Sequence, residues 1–173
     1  MSYTIRQLTG DDVEAYHELR LESLQQHPEA FAATYELAAA RPANQWVETL
    51  TQLTLFGAFA EGGRPVGLVA FDQSRGDKDS HRGWLLQMYV RPEMRGTGCA
   101  QALVETVLDH ARGKVLQVHL GVWAENRPAI RLYEKTGFVT YGNDPRAFYV
   151  NGRFIDDHLM VRFLDKAPET NNE

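Results

Sequence analysis

The first half of the chain alternates between short apolar runs typical of strands and longer stretches typical of amphipathic helices. Apolar and polar residues alternate along a half-buried strand, whereas apolar residues recur every three or four positions along a helix. A helix is predicted from a cap at Asp11 or Asp12 to His27, where the following proline ends it. A second helix is predicted over 42–53, and strands over 3–8, 55–60 and 65–71, with a hairpin turn at 61–64.

The second half of the chain alternates strands with helices. Its predicted strands cover 84–90, 116–122, 138–141 and 154–163, with helices over 98–112 and 126–136 and a loop around Pro145. A strand, a helix and a second strand in succession place the two strands parallel in one sheet. We therefore expect an α+β fold: a mixed, mostly antiparallel sheet of about seven strands with helices on both faces and one central parallel pair.

Length and composition limit the possible classes of protein. The chain has 173 residues and neither repeats nor a linker, so we expect a single domain over 1–164 and a disordered tail over 165–173. Its single cysteine cannot form an internal disulfide, which favours a cytoplasmic location. Sheet edges near the last strands favour pairing of two copies into a homodimer.

Several kinds of partner are not expected. No apolar run approaches the length of a membrane span. The net charge of −5 argues against non-specific binding to nucleic acid. The six histidines are scattered and there is no second cysteine, so we expect no metal site.

The most informative segment is the turn between the strand predicted over 84–90 and the helix after it. It reads Arg95-Gly96-Thr97-Gly98-Cys99-Ala100-Gln101. Glycines permit backbone conformations closed to other residues and allow a ligand to approach the backbone amides. A helix that starts there adds unpaired N–H groups and the positive end of its dipole. The turn therefore predicts a site for a phosphate or pyrophosphate group.

Three classes of phosphate-bearing ligand compete for this turn. A nucleoside triphosphate loop needs a lysine after its last glycine, and none occurs between Lys78 and Lys114. A dinucleotide site needs a glycine or alanine in place of Gln101 and an acidic residue further on, where the chain has the strand over 116–122. The pattern Arg/Gln-x-x-Gly-x-Gly/Ala, which is matched over 95–100, favours coenzyme A.

This turn, which follows a strand ending in Val90-x-Pro92, resembles the coenzyme A-binding motif of the GNAT superfamily of N-acetyltransferases. The segment 126–138 resembles that superfamily's Asn-x-x-Ala-x-x-Leu-Tyr-x-x-x-Gly-Phe signature. The resemblance extends over 3–164 and is closest to small bacterial members with undefined acceptors. It implies transfer of an acetyl group from acetyl-coenzyme A to a primary amine of a small molecule or peptide, by direct attack in a ternary complex.

The resemblance also assigns roles to residues. By periodicity alone Tyr133 would be a core aromatic residue, but the resemblance implies that it is the acid that protonates the departing thiolate. A phenol suits this role because its reference pKa, about 10, is of the same order as that of a thiol. In other members of the superfamily the tyrosine only orients the thioester, and that alternative stays open here. The residues expected to bind the cofactor are Met88, Tyr89, Val90, Arg95, Gly96, Thr97, Gly98, Cys99, Ala100, Gln101 and Asn126.

The general base is left open. Members of the superfamily carry a glutamate at one of two positions, which match Trp84 and Gly121 in this chain. Two histidines are the alternatives: His119, which shares strand parity with Gly121, and His158, which follows Asp156 and Asp157. A water chain, or loss of the amine's proton in solution, would serve as well.

The resemblance places the acceptor site along the first two helices, their connection and the loop before the last strand. The corresponding residues lie in 20–37, especially Phe31, Tyr35 and Glu36, and at Arg146, Phe148 and Tyr149, with Trp84 and Trp123 as aromatic walls. The absence of both usual acidic residues leaves a rival interpretation, a non-catalytic sensor that binds acyl-coenzyme A.

Overall fold

The computed structural model describes residues 2–166, and within them seven strands form one sheet. The tail expected over 165–173 lies, from residue 167 onward, outside the described residues. The strands are β1 (Tyr3–Gln7), β2 (Thr54–Ala60), β3 (Pro65–Gln73), β4 (Arg82–Val90), β5 (Gln117–Trp123), β6 (Val139–Val150) and β7 (Arg153–Phe163). The helices are α1 (Val13–Gln26), α2 (Tyr35–Ala39), α3 (Ala43–Gln52), α4 (Cys99–Ala111) and α5 (Arg127–Lys135).

The strand order confirms the predicted mixed sheet with one parallel pair. The order is β1-β2-β3-β4-β5-β7-β6, and β4 with β5 is the parallel pair, while the other neighbours run antiparallel. The parallel ladder is short, from Arg82 opposite Gln117 to Trp84 opposite His119. Beyond Trp84 the two strands separate, which leaves the facing edges of β4 and β5 without ladder partners.

Helices cover both faces of the sheet, as predicted, and each face has its own core. β3 shows the division because its side chains alternate: Val69 and Phe71 belong to the core under α4, whereas Leu68 and Ala70 belong to the core under α1. The first core takes Leu103 and Val107 from α4 and extends to α5. The second core takes its side chains from α1, from Trp46 of α3 and from β2–β4.

An irregularity in β4 separates its start from its end. The pairing with β3 changes register between Tyr89 opposite Leu68 and Leu86 opposite Ala70. Gln87, in this bulge, has a positive φ of 56°, and its Oε1 accepts a hydrogen bond from the Tyr16 hydroxyl of α1 at 3.0 Å. A bulge bends its strand and redirects the side chains that follow it. It therefore helps to turn the end of β4 away from β5.

The end of the chain departs from the sequence prediction. The strand predicted over 138–141 continues to Val150 as β6, and the loop predicted around Pro145 is a break within that strand. Residues 145–147 have no register partners in β7, which fits a proline that cannot donate to the ladder. A short helix, α2, which the sequence analysis did not predict, precedes α3. Within residues 2–166, no helix is long and apolar enough to cross a membrane.

Candidate active site

The gap between β4 and β5 opens into a cavity of about 450 Å³. Its lining comes from α1, from the segment before α2, from both separated strands, from α5 and from β6 and β7. The lining residues are Arg20, 30–33, 84–88, 121–123, Asn126, Ala129, Leu132, Tyr133, Phe148 and Asp157. The cavity thus lies between the two strands of the predicted parallel pair, where they separate.

The glycine turn before α4 presents free backbone donors. Gly96 and Gly98 have positive φ values of 74° and 83°, a conformation that L side chains rarely adopt. Among the described residues, the amides of Gly96, Gly98, Ala100 and Gln101 have no hydrogen-bond acceptor. A Cβ built at Gly96 would meet nothing within 4 Å, so the space beside the turn is open. Open space, free amides and a helix N-terminus together fit a pyrophosphate group.

The side chains of this turn take little part in that arrangement. Cys99 is fully buried under α4, and burial raises the pKa of its thiol to about 11. Thr97 donates its hydroxyl to the Met94 carbonyl at 2.6 Å. Arg95 is exposed and makes no side-chain hydrogen bond within residues 2–166, which leaves its guanidinium available to a ligand. The turn therefore offers a ligand its backbone amides, with Arg95 as its one cationic side chain.

Tyr133 lies on the cavity side of α5. Its side chain is 6% exposed, lines the cavity and packs edge-on against Phe138 at 5.7 Å between ring centroids. The hydroxyl has no hydrogen-bond partner among the described residues. Burial raises the pKa of Tyr133 well above its usual value, so the phenol keeps its proton at neutral pH. The raised pKa makes Tyr133 a weaker proton donor than an exposed phenol, while its hydroxyl can still donate a hydrogen bond to a group in the cavity.

Two other residues expected to bind the cofactor line the same cavity as Tyr133, and two do not. Asn126 caps α5 by accepting a hydrogen bond from the Ala129 amide at 3.3 Å, and it also lines the cavity, as does Met88. Tyr89 and Val90 pair with β3 and are absent from the lining. The Tyr89 hydroxyl is turned toward α1, where it donates to Glu22 at 2.7 Å.

Neither histidine proposed as a base lines the cavity. His119 is 5% exposed; the Arg82 guanidinium donates to its Nε2 at 3.3 Å, and the Tyr141 hydroxyl lies 3.2 Å from its Nδ1. Burial, together with the charges of Arg82 and His81, lowers the pKa of His119 to about 4. His158 lies opposite Val122 in the ladder, on the neighbouring strand. The structure therefore brings neither imidazole to Tyr133.

Some of the predicted acceptor residues line the cavity and others do not. Phe31, Trp84, Trp123 and Phe148 line the cavity and make much of its wall aromatic. Tyr35 packs against the core under α1, while Glu36 of α2 is exposed, and neither reaches the lining. Arg146 and Tyr149 of β6 also lie outside it, and Tyr149 is 66% exposed.

Two charged residues in the lining received no role of their own from the sequence. Arg20 lies within the predicted acceptor region 20–37, and Asp157 immediately precedes His158. The signal for Arg20 was present: it occupies the apolar stripe of α1, four positions after Tyr16 and four before Leu24. Asp157 offered no comparable signal, because its position depends on how β7 lies against β5.

Asp157 lies next to Gly121, one of the two positions at which members of the superfamily carry a glutamate. A Cβ built on Gly121 would lie 3.3 Å from Asp157 Oδ2, so the carboxylate occupies the space next to that glycine. Burial, followed by the charge of Asp144, raises the pKa of Asp157 above its ordinary value. β7 thus supplies a carboxylate close to a position where β5 has no side chain. Within the described part of the chain, no three potential ligands come together to hold a metal ion.

Comparisons with known proteins agree with this geometry. The family model of the acetyltransferase (GNAT) family matches residues 14–138. A spermidine N(1)-acetyltransferase of Vibrio cholerae is 38% identical over 89 residues, a match that covers 50% of this chain and 51% of that protein. The chain therefore spans about half the length of this curated relative.

Solved structures share the fold at low sequence identity. An acetyltransferase of the GNAT family from Streptococcus pneumoniae has a TM-score of 0.84 at 22% identity, and the match covers 94% of this chain and all of that one. A protein from Salmonella typhimurium, solved with its cofactor acetyl-CoA, has a TM-score of 0.82 at 20% identity with both chains fully covered. Sheet topology, glycine turn and family model lead to one conclusion: the chain belongs to the acetyltransferase (GNAT) family.

Proposed function

We propose that this protein transfers the acetyl group of acetyl-coenzyme A to a primary amine, by direct attack of the amine in a ternary complex. One observation carries the proposal: Tyr133 lines the gap between β4 and β5, and the turn that follows β4 has four amides without an acceptor among the described residues. Such a turn binds a pyrophosphate, and a slot with an unpaired strand edge can hold an extended, amide-containing arm. Family membership supports the same activity.

The residues that would hold the cofactor are the turn over 95–101, the open edge of β4 near Met88, and Asn126 at the start of α5. Acetyl-coenzyme A supplies an acetyl group activated as a thioester. In the overall transfer a C–N bond forms and a C–S bond breaks, while the ammonium form of the acceptor loses two protons. One of these protons is balanced on the thiol, and the other leaves to a base or to solvent.

Tyr133 is the residue that we propose as the proton donor to sulfur. Its hydroxyl is protonated at neutral pH and has no competing partner in the described structure. Backbone N–H groups on the free edge of β4 would polarise the carbonyl under attack, because fixed donors in a dry site stabilise developing negative charge. The roles of Tyr133 and β4 are thus complementary, one at each end of the bond that breaks.

The test is coenzyme A release by Tyr133→Phe with an accepted amine. We expect turnover to fall by about 10²–10⁴-fold, the usual contribution of a general acid. Affinity for coenzyme A should stay within about twofold, since the ring and its packing remain. Tyr141→Phe is the matched control: this tyrosine is half exposed and lies outside the cavity, so its removal should leave turnover unchanged.

The non-catalytic sensor makes the opposite prediction. A sensor would bind coenzyme A saturably. It would release no coenzyme A from acetyl-coenzyme A with any amine, whether as the wild type or as Tyr133→Phe. Its main support was the lack of an acidic residue at Trp84 and Gly121, and Asp157 supplies a carboxylate beside the second of these positions. Equal turnover by the wild type and by Tyr133→Phe would show that Tyr133 is not the acid, while the proposal of acetyl transfer would stand.

A further inference from the structure

Arg20 is a buried cation whose side chain has no hydrogen-bond or salt-bridge partner among the described residues. Its side chain is 8% exposed, and its Nη1 is buried and makes no hydrogen bond within residues 2–166. Its guanidinium lies over the ring of Phe31, 4.8 Å from the centroid. The charged or titratable groups that act on it are Tyr16 of α1 and the cation Arg41. Within residues 2–166 no carboxylate forms a salt bridge with Arg20, which lines the cavity that contains Tyr133.

An unpaired buried charge is costly, because burial removes the water that would solvate it. Here the cost is visible as a lowered pKa of Arg20, caused first by burial. The Phe31 ring offsets part of the cost, but within residues 2–166 the Nη1 group still lacks an acceptor. Because the Arg20 side chain lines the cavity, an anionic group that binds there would supply the missing negative charge.

Asp157 contributes the opposite charge to the same cavity. Its carboxylate, half-buried beside Gly121, makes no hydrogen bond and no salt bridge among the described residues. Arg20 and Asp157 therefore line one cavity without forming an ion pair with each other. Two opposite charges that stay apart in a shared cavity leave room for a ligand that satisfies both.

We propose that the acceptor is an α-amino acid, whose carboxylate binds Arg20 and whose amine lies against Asp157. The proposal rests on the proposed acetyl transfer and names its acceptor class. Asp157 would hold the ammonium group and accept its proton before attack, while the aromatic walls at Phe31, Trp84 and Phe148 favour an apolar side chain. A polyamine fits less well, because it brings further positive charge to an unpaired arginine.

The first experiment compares matched acceptors by coenzyme A release. L-leucine and L-methionine are measured against L-leucinamide and L-methioninamide, which keep the amine and the side chain but lack the carboxylate. Spermidine is the third acceptor. We expect kcat/KM for each acid to exceed that for its amide by about tenfold or more, since a charge-assisted pair is lost with the carboxylate. Equal or higher values for the amides or for spermidine would overturn the proposal.

Variants of Arg20 separate recognition from folding. Arg20→Met keeps the bulk of the side chain and should reduce the acid-to-amide ratio to within about threefold, while turnover of the amide persists. Arg20→Lys keeps the charge and should restore part of the ratio. Arg112→Met, at an exposed arginine beyond the end of α4, should leave both values unchanged. A structural role for Arg20 would instead lower turnover of acid and amide by the same factor.

Binding measurements keep this inference distinct from the proposed function. Isothermal titration of L-leucine and L-leucinamide into the protein saturated with coenzyme A reports recognition without chemistry. If no amine releases coenzyme A but leucine binds at least tenfold more tightly than its amide, the transfer fails and the amino-acid site stands. If both bind equally, the amino-acid site fails, whether or not transfer occurs.

Discussion

The glycine turn and the acceptor side of the cavity are built in contrasting ways. The turn over 95–101 is continuous in sequence and offers backbone N–H groups, while Cys99 points into the core. The acceptor side draws single side chains from distant elements: Arg20 from α1, Trp84 from β4 and Asp157 from β7. One site is thus made by local backbone conformation and the other by tertiary packing.

This contrast explains why the two sites differ in how readily they are recognised. A phosphate is bound by amides at a helix start, and only glycines at the correct spacing permit that geometry. An acceptor is bound by side chains whose order in the chain is free, provided that the fold brings them together. The cofactor can therefore be inferred from one short segment, whereas the acceptor requires the cavity.

The largest effect is expected at the turn, from Gly98→Val. A Cβ at this position would meet only the Tyr3 hydroxyl, at 3.9 Å, so the protein should fold despite a strain of about 1–2 kcal/mol. Valine would displace the amides and occupy the ligand's space. Losing two charge-assisted hydrogen bonds, each worth about 1.5–3 kcal/mol, should weaken coenzyme A binding by about a hundredfold or more.

The matched control for that variant is Gly113→Val, just beyond the opposite end of α4. Gly113 has a φ of +76° and has nothing within 4 Å of a built Cβ, so the backbone strain is comparable. Titration calorimetry with coenzyme A should show wild-type affinity for this control. An equal loss of affinity in both variants would mean that the turn contributes through stability and not through contact.

An intermediate effect is expected on the acceptor side, from Asp157→Asn. We expect kcat/KM to fall by about 10–100-fold with cofactor affinity unchanged, since in our proposal this carboxylate holds the amine and accepts its proton. In the wild type kcat/KM should fall as acid protonates Asp157. Because burial, Asp144 and Asp156 raise the pKa of Asp157 while His158 opposes them, this decline should begin above the ordinary aspartate range. The asparagine variant should lack that acid limb.

Asp144→Asn provides the control for this pH profile. Asp144 is exposed on β6 opposite Asp157, and its negative charge raises the pKa of Asp157. Removing that charge should shift the acid limb to lower pH without lowering the plateau. An acid limb that persists unchanged in Asp157→Asn would assign the titration to another group.

The smallest effect is expected from Cys99→Ala. Cys99 lies within the turn, but its side chain is fully buried and directed into the core under α4. Coenzyme A affinity should stay within about twofold, and stability should fall by about 1 kcal/mol for the lost buried volume. Thermal melts and cofactor titrations measure the two separately. A large loss of affinity without loss of stability would contradict a turn that acts through its backbone.

Much of the fold could be predicted because its signals are local. The alternating and helical patterns identify β2, β3, α1 and α4, and the strand–helix–strand order predicts the parallel pair. The extent of β6 could not be predicted, since Pro145 normally ends a strand and here lies in a break that β7 spans on both sides. The short α2 was missed because five residues carry too little periodicity to separate it from its surroundings.

By itself the sequence determined the sheet with its parallel pair, the glycine turn and the position of Tyr133 on an amphipathic helix. These features follow from hydrophobic period and backbone chemistry, which neighbouring residues specify. Only the tertiary structure decided that His119 is enclosed and that Arg20 and Asp157 line one cavity unpaired. Burial, pairing and charge balance depend on which distant elements pack together, and a short segment of the chain does not specify that packing.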